Sequence, residues 1–246
     1  MPTFKLTVAY DGTGLVGWQR QARGTSIQGL LEESLGELDG RSVDVFGAGR
    51  TDAGVHALGQ VASVTLERVI DGPAVVRAIN ARLPAAVRVL DAIEVDPAFR
   101  ARFDARAKTY RYRIVNAEVM DPFERTRAWH VPAPRLDVER METAAAAVEG
   151  RHDFAAFQTL GTPTRTTERT VFSSRVQDLP DLITYEICGD GFLRHMVRAI
   201  VGTLVEIGRG KRPPEWMAEV IASRSRAHAG PTAPPEGLFL VGVEYR

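Results

Sequence analysis

Apolar residues alternate with polar ones at Phe4, Leu6, Val8 and Tyr10, which predicts a strand over 4–10. The period then lengthens. Ile27, Leu30, Leu31, Leu35 and Leu38 fall on one helical face, so 27–39 reads as a helix, with Ser26 placed to cap its first turn. Short apolar runs over 43–46 and 61–66 predict the next two strands. Pro73 opens a helix that continues to about Ala81, the position where proline's missing N–H is tolerated. A further strand spans 87–95. The order is β-α-β-β-α-β, the split βαβ or ferredoxin-like pattern.

The order then repeats. A strand is predicted over 108–115 and a helix over 137–149. A hairpin joins 170–176 to 183–188 around Leu179-Pro180-Asp181. Helices follow over 192–208 and 214–223, and a last strand over 238–243. No residue-level repeat accompanies this duplication, so it is topological. The expected class is α+β. Two ferredoxin-like, RRM-like halves, 1–104 and 105–246, would carry mainly antiparallel sheets side by side with helices behind. A central catalytic cleft between such sheets would suit a long, folded, anionic substrate. The stretch 158–169 is polar and rich in turn formers, and reads as a mobile loop.

Composition narrows the classes. Of 246 residues, 44% are hydrophobic and 25% charged, which excludes a disordered or fibrous chain. No apolar run approaches the ~18 residues of a membrane span. The chain enters its first strand at once, without an apolar leader, so a cytoplasmic protein is expected. Cys188 is the only cysteine, which excludes an internal disulfide. The five histidines form no i,i+4 pair, and no metal site is expected.

A net charge of zero hides an uneven distribution. The 31 basic residues are 28 Arg and 3 Lys. Codon bias accounts for that preference as well as planar phosphate recognition does. Six cations lie between Arg100 and Arg113 against one anion, Asp104. Seven lie between Arg194 and Arg226 against Glu206, Glu215 and Glu219. A neutral protein with such stripes can bind a polyanion on one face.

Three segments carry candidate chemistry. The first, 47–59, reads Gly-Ala-Gly-Arg-Thr-Asp-Ala-Gly-Val-His-Ala-Leu-Gly. Its only charged residues are Arg50 and Asp52. Four glycines suit a loop that bends sharply around one short carboxylate. A guanidinium beside it would keep Asp52 ionised, fit to act as nucleophile or base. An Asp beside Gly can equally satisfy its own turn. His56 reads as a packing residue of that loop. The second segment, Phe103 to Arg113, places Tyr110 and Tyr112 on one strand face and Arg111 and Arg113 on the other. Aromatics with cations fit base stacking and phosphate contact, or a half-buried edge strand. The third is Phe192 to Gly202, where Arg194 and Arg198 stand i,i+4 on an apolar helix. Arg198 there needs an anion, and Asp52 or a structural acid such as Glu206 could supply it. Trp18 reads as a core aromatic, with neighbouring Gln and Arg residues able to meet RNA.

Together these segments resemble the tRNA pseudouridine synthase A family. The resemblance rests on Tyr10-Asp11-Gly12 with Gly17-Trp18-Gln19-Arg20-Gln21, Gly49-Arg50-Thr51-Asp52-Ala53-Gly54-Val55-His56, Tyr110-Arg111-Tyr112, Met196-Val197-Arg198 with Gly202, and Gly237-Leu238-Phe239-Leu240. It implies an enzyme that isomerises uridine to pseudouridine at positions 38, 39 and 40 of the tRNA anticodon stem-loop. It implies no cofactor and no metal, and a homodimer with one tRNA spanning both subunits. Asp52 would be the nucleophile, Arg50 and Arg198 its charge partners, and Tyr110 part of the uracil pocket. Two other classes are a non-catalytic RNA-binding module and a small-glycoside hydrolase. The RRM aromatic signature is absent, and the glycine-rich segment offers Asp52 no second carboxylate as the general acid that a hydrolase needs.

Overall fold

The computed structural model describes residues 1–159, 161, 164–180 and 182–245. Ten strands and five α-helices stand in a mixed α+β arrangement among them. The chain divides into two compact units. One is Met1–Arg106 joined by the strand from Phe239 onward, and the other is Ala107–Leu238.

In the first unit, β1 (Thr3–Tyr10) buries Phe4, Leu6, Val8 and Tyr10, as its alternation requires. It pairs antiparallel with β3 (His56–Thr65) on one side and β4 (Val87–Val95) on the other. Helix α1 (Ile27–Asp39) starts where Ser26 Oγ accepts the Gly29 N–H at 3.1 Å. Helix α2 (Gly72–Asn80) starts where Asp71 accepts the Ala74 N–H at 2.7 Å, with Pro73 in its first turn.

Two strands of this unit differ from expectation. The strand expected over 43–46 shrinks to β2 (Phe46–Gly47), which pairs antiparallel with β3. The reason is local. Val45 N–H bonds to Glu32 Oε1 at 3.3 Å, and its carbonyl accepts Gln28 Nε2 at 3.1 Å. Side chains of α1 thus occupy the backbone groups that a neighbouring strand would use. Strand β3 begins at His56 rather than 61, and 60–64 are all buried, so no alternation announces it. One reason is that Val61 packs with Ala48 and Ala101 in a small core cluster joined by Phe99, Val243 and Tyr245. The last strand stands where it was expected, as β10 (Leu238–Glu244), and it pairs parallel with β3, Phe239 opposite His56. A parallel partner is reached by a long crossover, so sequence order does not reveal it.

Asp39 closes α1 with a buried carboxylate. It accepts the backbone N–H groups of Glu67 and Arg68 at 2.9 Å and the Arg41 Nε at 2.9 Å. Burial alone would raise its pKa, but the Arg68 and Glu67 amides and the Arg41 guanidinium outweigh that and hold it below the ordinary carboxylate range. A depressed folded-state pKa stabilises above the unfolded value and is lost as pH falls through the folded one. Asp39→Ala is therefore expected to cost about 2 kcal/mol at pH 7 and much less near pH 2. Urea unfolding midpoints of both proteins at the two pH values check this.

In the second unit the strand order is β5 (Ala107–Val115), β9 (Leu182–Gly189), β8 (Glu168–Leu179), β7 (Gly150–Asp153). The ladders β5–β9, β8–β9 and β7–β8 are all antiparallel. Two short strands were not legible in the sequence: β7, and β6 (Trp129–His130), which runs parallel to the end of β5. Helix α3 (Val138–Ala146) stops three residues before 149. The N–H groups of Ala147, Val148 and Glu149 turn back to carbonyls three residues earlier, tightening the end. Helix α4 (Met196–Gly208) is apolar all round, and only Arg198 and Glu206 of its thirteen residues escape full burial. It begins at Met196 rather than 192, because His195 takes a left-handed backbone with φ 64°. Helix α5 (Trp216–Ser223) follows. The loop expected over 158–169 includes Leu160, Thr162 and Pro163, and the hairpin turn includes Asp181; these four lie outside the described residues.

Candidate active site

The glycine-rich segment leaves β2 at Gly47 and enters β3 at His56, with Asp52 near its apex and half-buried. Its shape is imposed by residues 11–18. Trp18 N–H donates to the Thr51 carbonyl at 3.1 Å, and Gly54 N–H to the Leu15 carbonyl at 3.4 Å. The Asp52 carbonyl accepts Val55 N–H at 3.2 Å and closes a tight turn with Gly54 at φ 77°. Two glycines let the segments touch. A Cβ on Gly12 would stand 2.2 Å from the Val55 oxygen. A Cβ on Gly17, itself at φ 99°, would stand 2.6 Å from the Thr51 oxygen and 2.9 Å from the Asp52 carbonyl carbon. Close approach of backbone to backbone, more than flexibility, is what those glycines provide.

Beneath the loop lies a buried polar network that composition and spacing did not reveal. Tyr10 Oη and Thr51 Oγ1 are 2.8 Å apart, and Gln60 Nε2 donates to the Gly49 carbonyl at 3.0 Å. Ala48 N–H donates to the Val61 carbonyl at 2.7 Å. Gln60 is fully buried in a strand, and that is the one signal that could have pointed to it. Burial pushes the Tyr10 hydroxyl up to about 12, against the Thr51 and Gln60 hydrogen bonds, so it stays a neutral donor. The network holds the residues on both sides of Arg50, Gly49 by its carbonyl and Thr51 by its hydroxyl. His56 is a packing residue, as expected. It is buried, stacks on Phe239 at 4.6 Å, and its Nδ1 lies 3.0 Å from Gly12 N and 3.2 Å from Asp11 Oδ1. Its Nδ1 can take only one of two roles, acceptor from Gly12 or, when protonated, donor to Asp11.

In the second unit, Tyr110 and Tyr112 point to the buried face of β5, with Arg111 and Arg113 on the other. Tyr110 meets Phe192 edge-to-face at 5.1 Å. Tyr112 is wholly buried and donates to the Pro234 carbonyl at 2.7 Å. Burial, then the Glu236 charge, raises its pKa strongly, with Arg198 pulling the other way. The two tyrosines therefore differ: Tyr112 is a core residue. Nor is β5 an edge strand, since β9 pairs along nearly its whole length and β6 at its far end.

Arg198 stands in the first turn of α4. Its Nε donates to the Ala233 carbonyl at 2.7 Å, while its own carbonyl accepts Ala233 N–H at 3.0 Å. Glu206 is not its partner; that carboxylate holds Arg209 at 2.9 Å and Lys211 at 3.0 Å. The basic stripes are also more committed than their charge suggests. Arg111 pairs with Glu186, directly opposite it on β9, and Arg113 with Glu124. Arg224 pairs with Asp153, Arg226 binds the Gly230 carbonyl, and Arg212 lies over Trp216. Arg20 pairs with Glu32 at 2.7 Å, and Trp18 is buried against Gly47. Among the described residues no group of three His, Cys, Asp or Glu could hold a metal ion, and no helix is long and apolar enough to cross a membrane.

A family model described as tRNA pseudouridine synthase matches residues 6–104 and 144–246. The chain is 49% identical to the tRNA pseudouridine synthase A of Myxococcus xanthus, over 100% of this chain and 93% of that protein. It is 47% identical to those of Moorella thermoacetica and Solibacter usitatus, each over the full length of both proteins. Among solved structures, a Cbf5-Nop10-Gar1 complex aligns with 82% of this chain and 45% of that chain. Its identity is 11% and its TM-score 0.38, a likeness too slight to bear on the fold.

Proposed function

We propose, for a chain that belongs to the tRNA pseudouridine synthase family, a specific reaction site: uridines 38, 39 and 40 of the anticodon stem-loop. The enzyme is an isomerase acting on tRNA. In our reading the Asp52 carboxylate is the nucleophile, Arg50 and Arg198 are its charge partners, and Tyr110 lines the uracil pocket. The observation that carries this is the Asp52 loop. Backbone contacts from 11–18 and the buried Tyr10–Thr51–Gln60 network support a carboxylate held in one place. Such fixing is worth orders of magnitude in rate.

The chemistry requires few groups. The N1–C1′ bond breaks, the uracil turns, C5 bonds to C1′, the C5 proton leaves and N1 takes up a proton. Atoms balance without a redox partner or cofactor. Attack of the carboxylate at C1′ would break the N1–C1′ bond and form an Asp52–C1′ ester, as in a retaining glycosidase, and C5 of the turned uracil would displace that ester and return the carboxylate; attack at the uracil ring is the alternative route. The base must first leave its stack, at a cost of a few kcal/mol. Arg50 would hold the space it leaves, Tyr110 would stack on it, and the Tyr110 hydroxyl would assist loss of the C5 proton. The order β4-β1-β3, with β2 beyond, supports a ferredoxin-like reading of the first unit. The enzyme would work in the cytoplasm as a homodimer, one tRNA spanning both subunits.

Unmodified tRNA carrying tritium at uracil C5 tests this. Release of label, with pseudouridine mapped to 38–40, is expected; no release at saturating enzyme would overturn it. The tyrosines separate by mutation. Tyr110→Phe is expected to bind tRNA within about threefold of wild type yet slow single-turnover release by about 10²-fold, the scale of general-base assistance. Tyr112→Phe is expected to keep the rate and lose about 1 kcal/mol of stability, because its hydroxyl serves the Pro234 carbonyl.

A further inference from the structure

Phe103 is 70% exposed on an ordered turn. The turn beneath it is firmly built. Phe103 and Asp104 N–H groups both donate to the Arg100 carbonyl at 3.0 Å. The Asp104 carboxylate accepts Arg100 N–H at 2.7 Å. Ala101 is fully buried, its N–H held by Ser63 Oγ at 3.4 Å and its carbonyl by Tyr245 Oη at 2.6 Å. Above this base, the Arg100 and Arg102 guanidiniums lie 5.4 and 5.8 Å from the Phe103 ring centre, and both arginines are exposed. Phe46, opposite Ser63 in β2, adds a second exposed ring on the same face of the sheet.

Ala101 packs on Ala48, two residues before Arg50, in the cluster that supports the glycine-rich loop. The turn and the loop thus share one rigid base. An exposed ring with two guanidiniums over it, 5.4 and 5.8 Å from its centre, matches one chemistry above others: a base takes their place over the ring, and the cations turn to its flanking phosphates. A protein partner would be expected to bury the ring under apolar groups, which two flanking charges oppose.

We propose that the Arg100–Phe103 turn is an RNA-contact site outside the uracil pocket, where Phe103 stacks on an unpaired tRNA base and Arg100 and Arg102 hold its flanking phosphates. The site rests on the reading of the substrate as tRNA, not on the assignment of Asp52. Held to the same base as the catalytic loop, it sets where the RNA lies relative to that loop.

Binding of unmodified tRNA is measured by fluorescence anisotropy with the full chain, in wild-type and Asp52→Asn backgrounds, so turnover does not disturb the reading. Phe103→Ala and Phe103→Leu are expected to bind about tenfold more weakly, and Phe103→Trp within twofold of wild type. Arg100→Gln and Arg102→Gln are each expected to lower the slope of log affinity against log salt by about one, which Phe103→Ala leaves alone. Thermal melting checks that each variant folds, which an exposed ring permits. Equal affinity across the Phe103 series would overturn the proposal. So would unchanged affinity with a shifted sedimentation coefficient, which would assign the ring to contact with a second copy. Failure of the wild type to release tritium would count against the proposed reaction instead, and would leave the binding comparison standing.

Discussion

Asp52→Asn is expected to slow tritium release from C5-labelled tRNA by about 10³-fold or more, while tRNA affinity stays within about tenfold, or ~1.4 kcal/mol. The amide keeps the size of the carboxylate and one acceptor oxygen, puts a donor in place of the other, and removes the negative charge and nucleophilicity. A structural Asp that only satisfied its turn would tolerate this change, because asparagine serves a turn nearly as well. Asp52→Glu is the sharper test. It keeps the charge but advances the oxygens by about 1 Å, and a loop that fixes its carboxylate this firmly should lose about 10² in rate. Wild-type single-turnover rates for either variant would remove Asp52 from the mechanism.

The second large effect concerns a residue that touches no substrate. Gly17→Ala places a methyl 2.6 Å from the Thr51 oxygen and 2.9 Å from the Asp52 carbonyl carbon, at a backbone φ of 99°. Backbone cannot rotate aside as a side chain can, so the loop itself must move. The expected result is a fall of about 10² in turnover with tRNA affinity nearly kept, together with a loss of about 1–3 kcal/mol in stability. Gly14→Ala separates strain from collision. Gly14 also has a positive φ, 75°, but a Cβ there meets nothing within 4 Å. It is expected to cost about 1 kcal/mol and leave turnover intact. Equal turnover losses in the two variants would mean that the loop is not positioned by the 11–18 segment.

The regular elements were largely readable because each carries its own period and cap. Ser26 caps the helix it was expected to start, Pro73 stands in the first turn of the next, and 87–95 is a strand to the residue. What was not readable depends on partners distant in sequence. Val45 loses its strand because Gln28 and Glu32 reach across to it, and no local pattern encodes that. His195 delays the start of an expected helix with an ordinary-looking side chain, its ring nitrogen 2.5 Å from Thr159 Oγ1. The candidate site shows the same split. The composition of 47–59 marks Asp52 as isolated among glycines, but the residues that shape its loop, Trp18, Gln60 and Tyr10, were unremarked in that role. The two tyrosines of β5 look equivalent by spacing; only the Pro234 carbonyl and full burial set Tyr112 apart.

The placement of β10 has a consequence for how the protein is made. Phe239 supplies the ring that His56 stacks on, the Glu244 carbonyl accepts Arg106 N–H, and Tyr245 anchors the turn at Ala101. During synthesis, residues 1–106 emerge first, and N-terminal domains commonly fold as they emerge. Here that opportunity is incomplete: the loop bearing Asp52 lacks a neighbour of its strand until residues 239–245 have left the ribosome. The nascent unit must wait through the translation of the whole second unit with the first residues of β3, His56 and Ala57, open on that side, a strand edge that chaperones would be expected to shield. A stop codon shortly before 239 would accordingly injure the unit encoded first, although the lesion lies at the far end of the message.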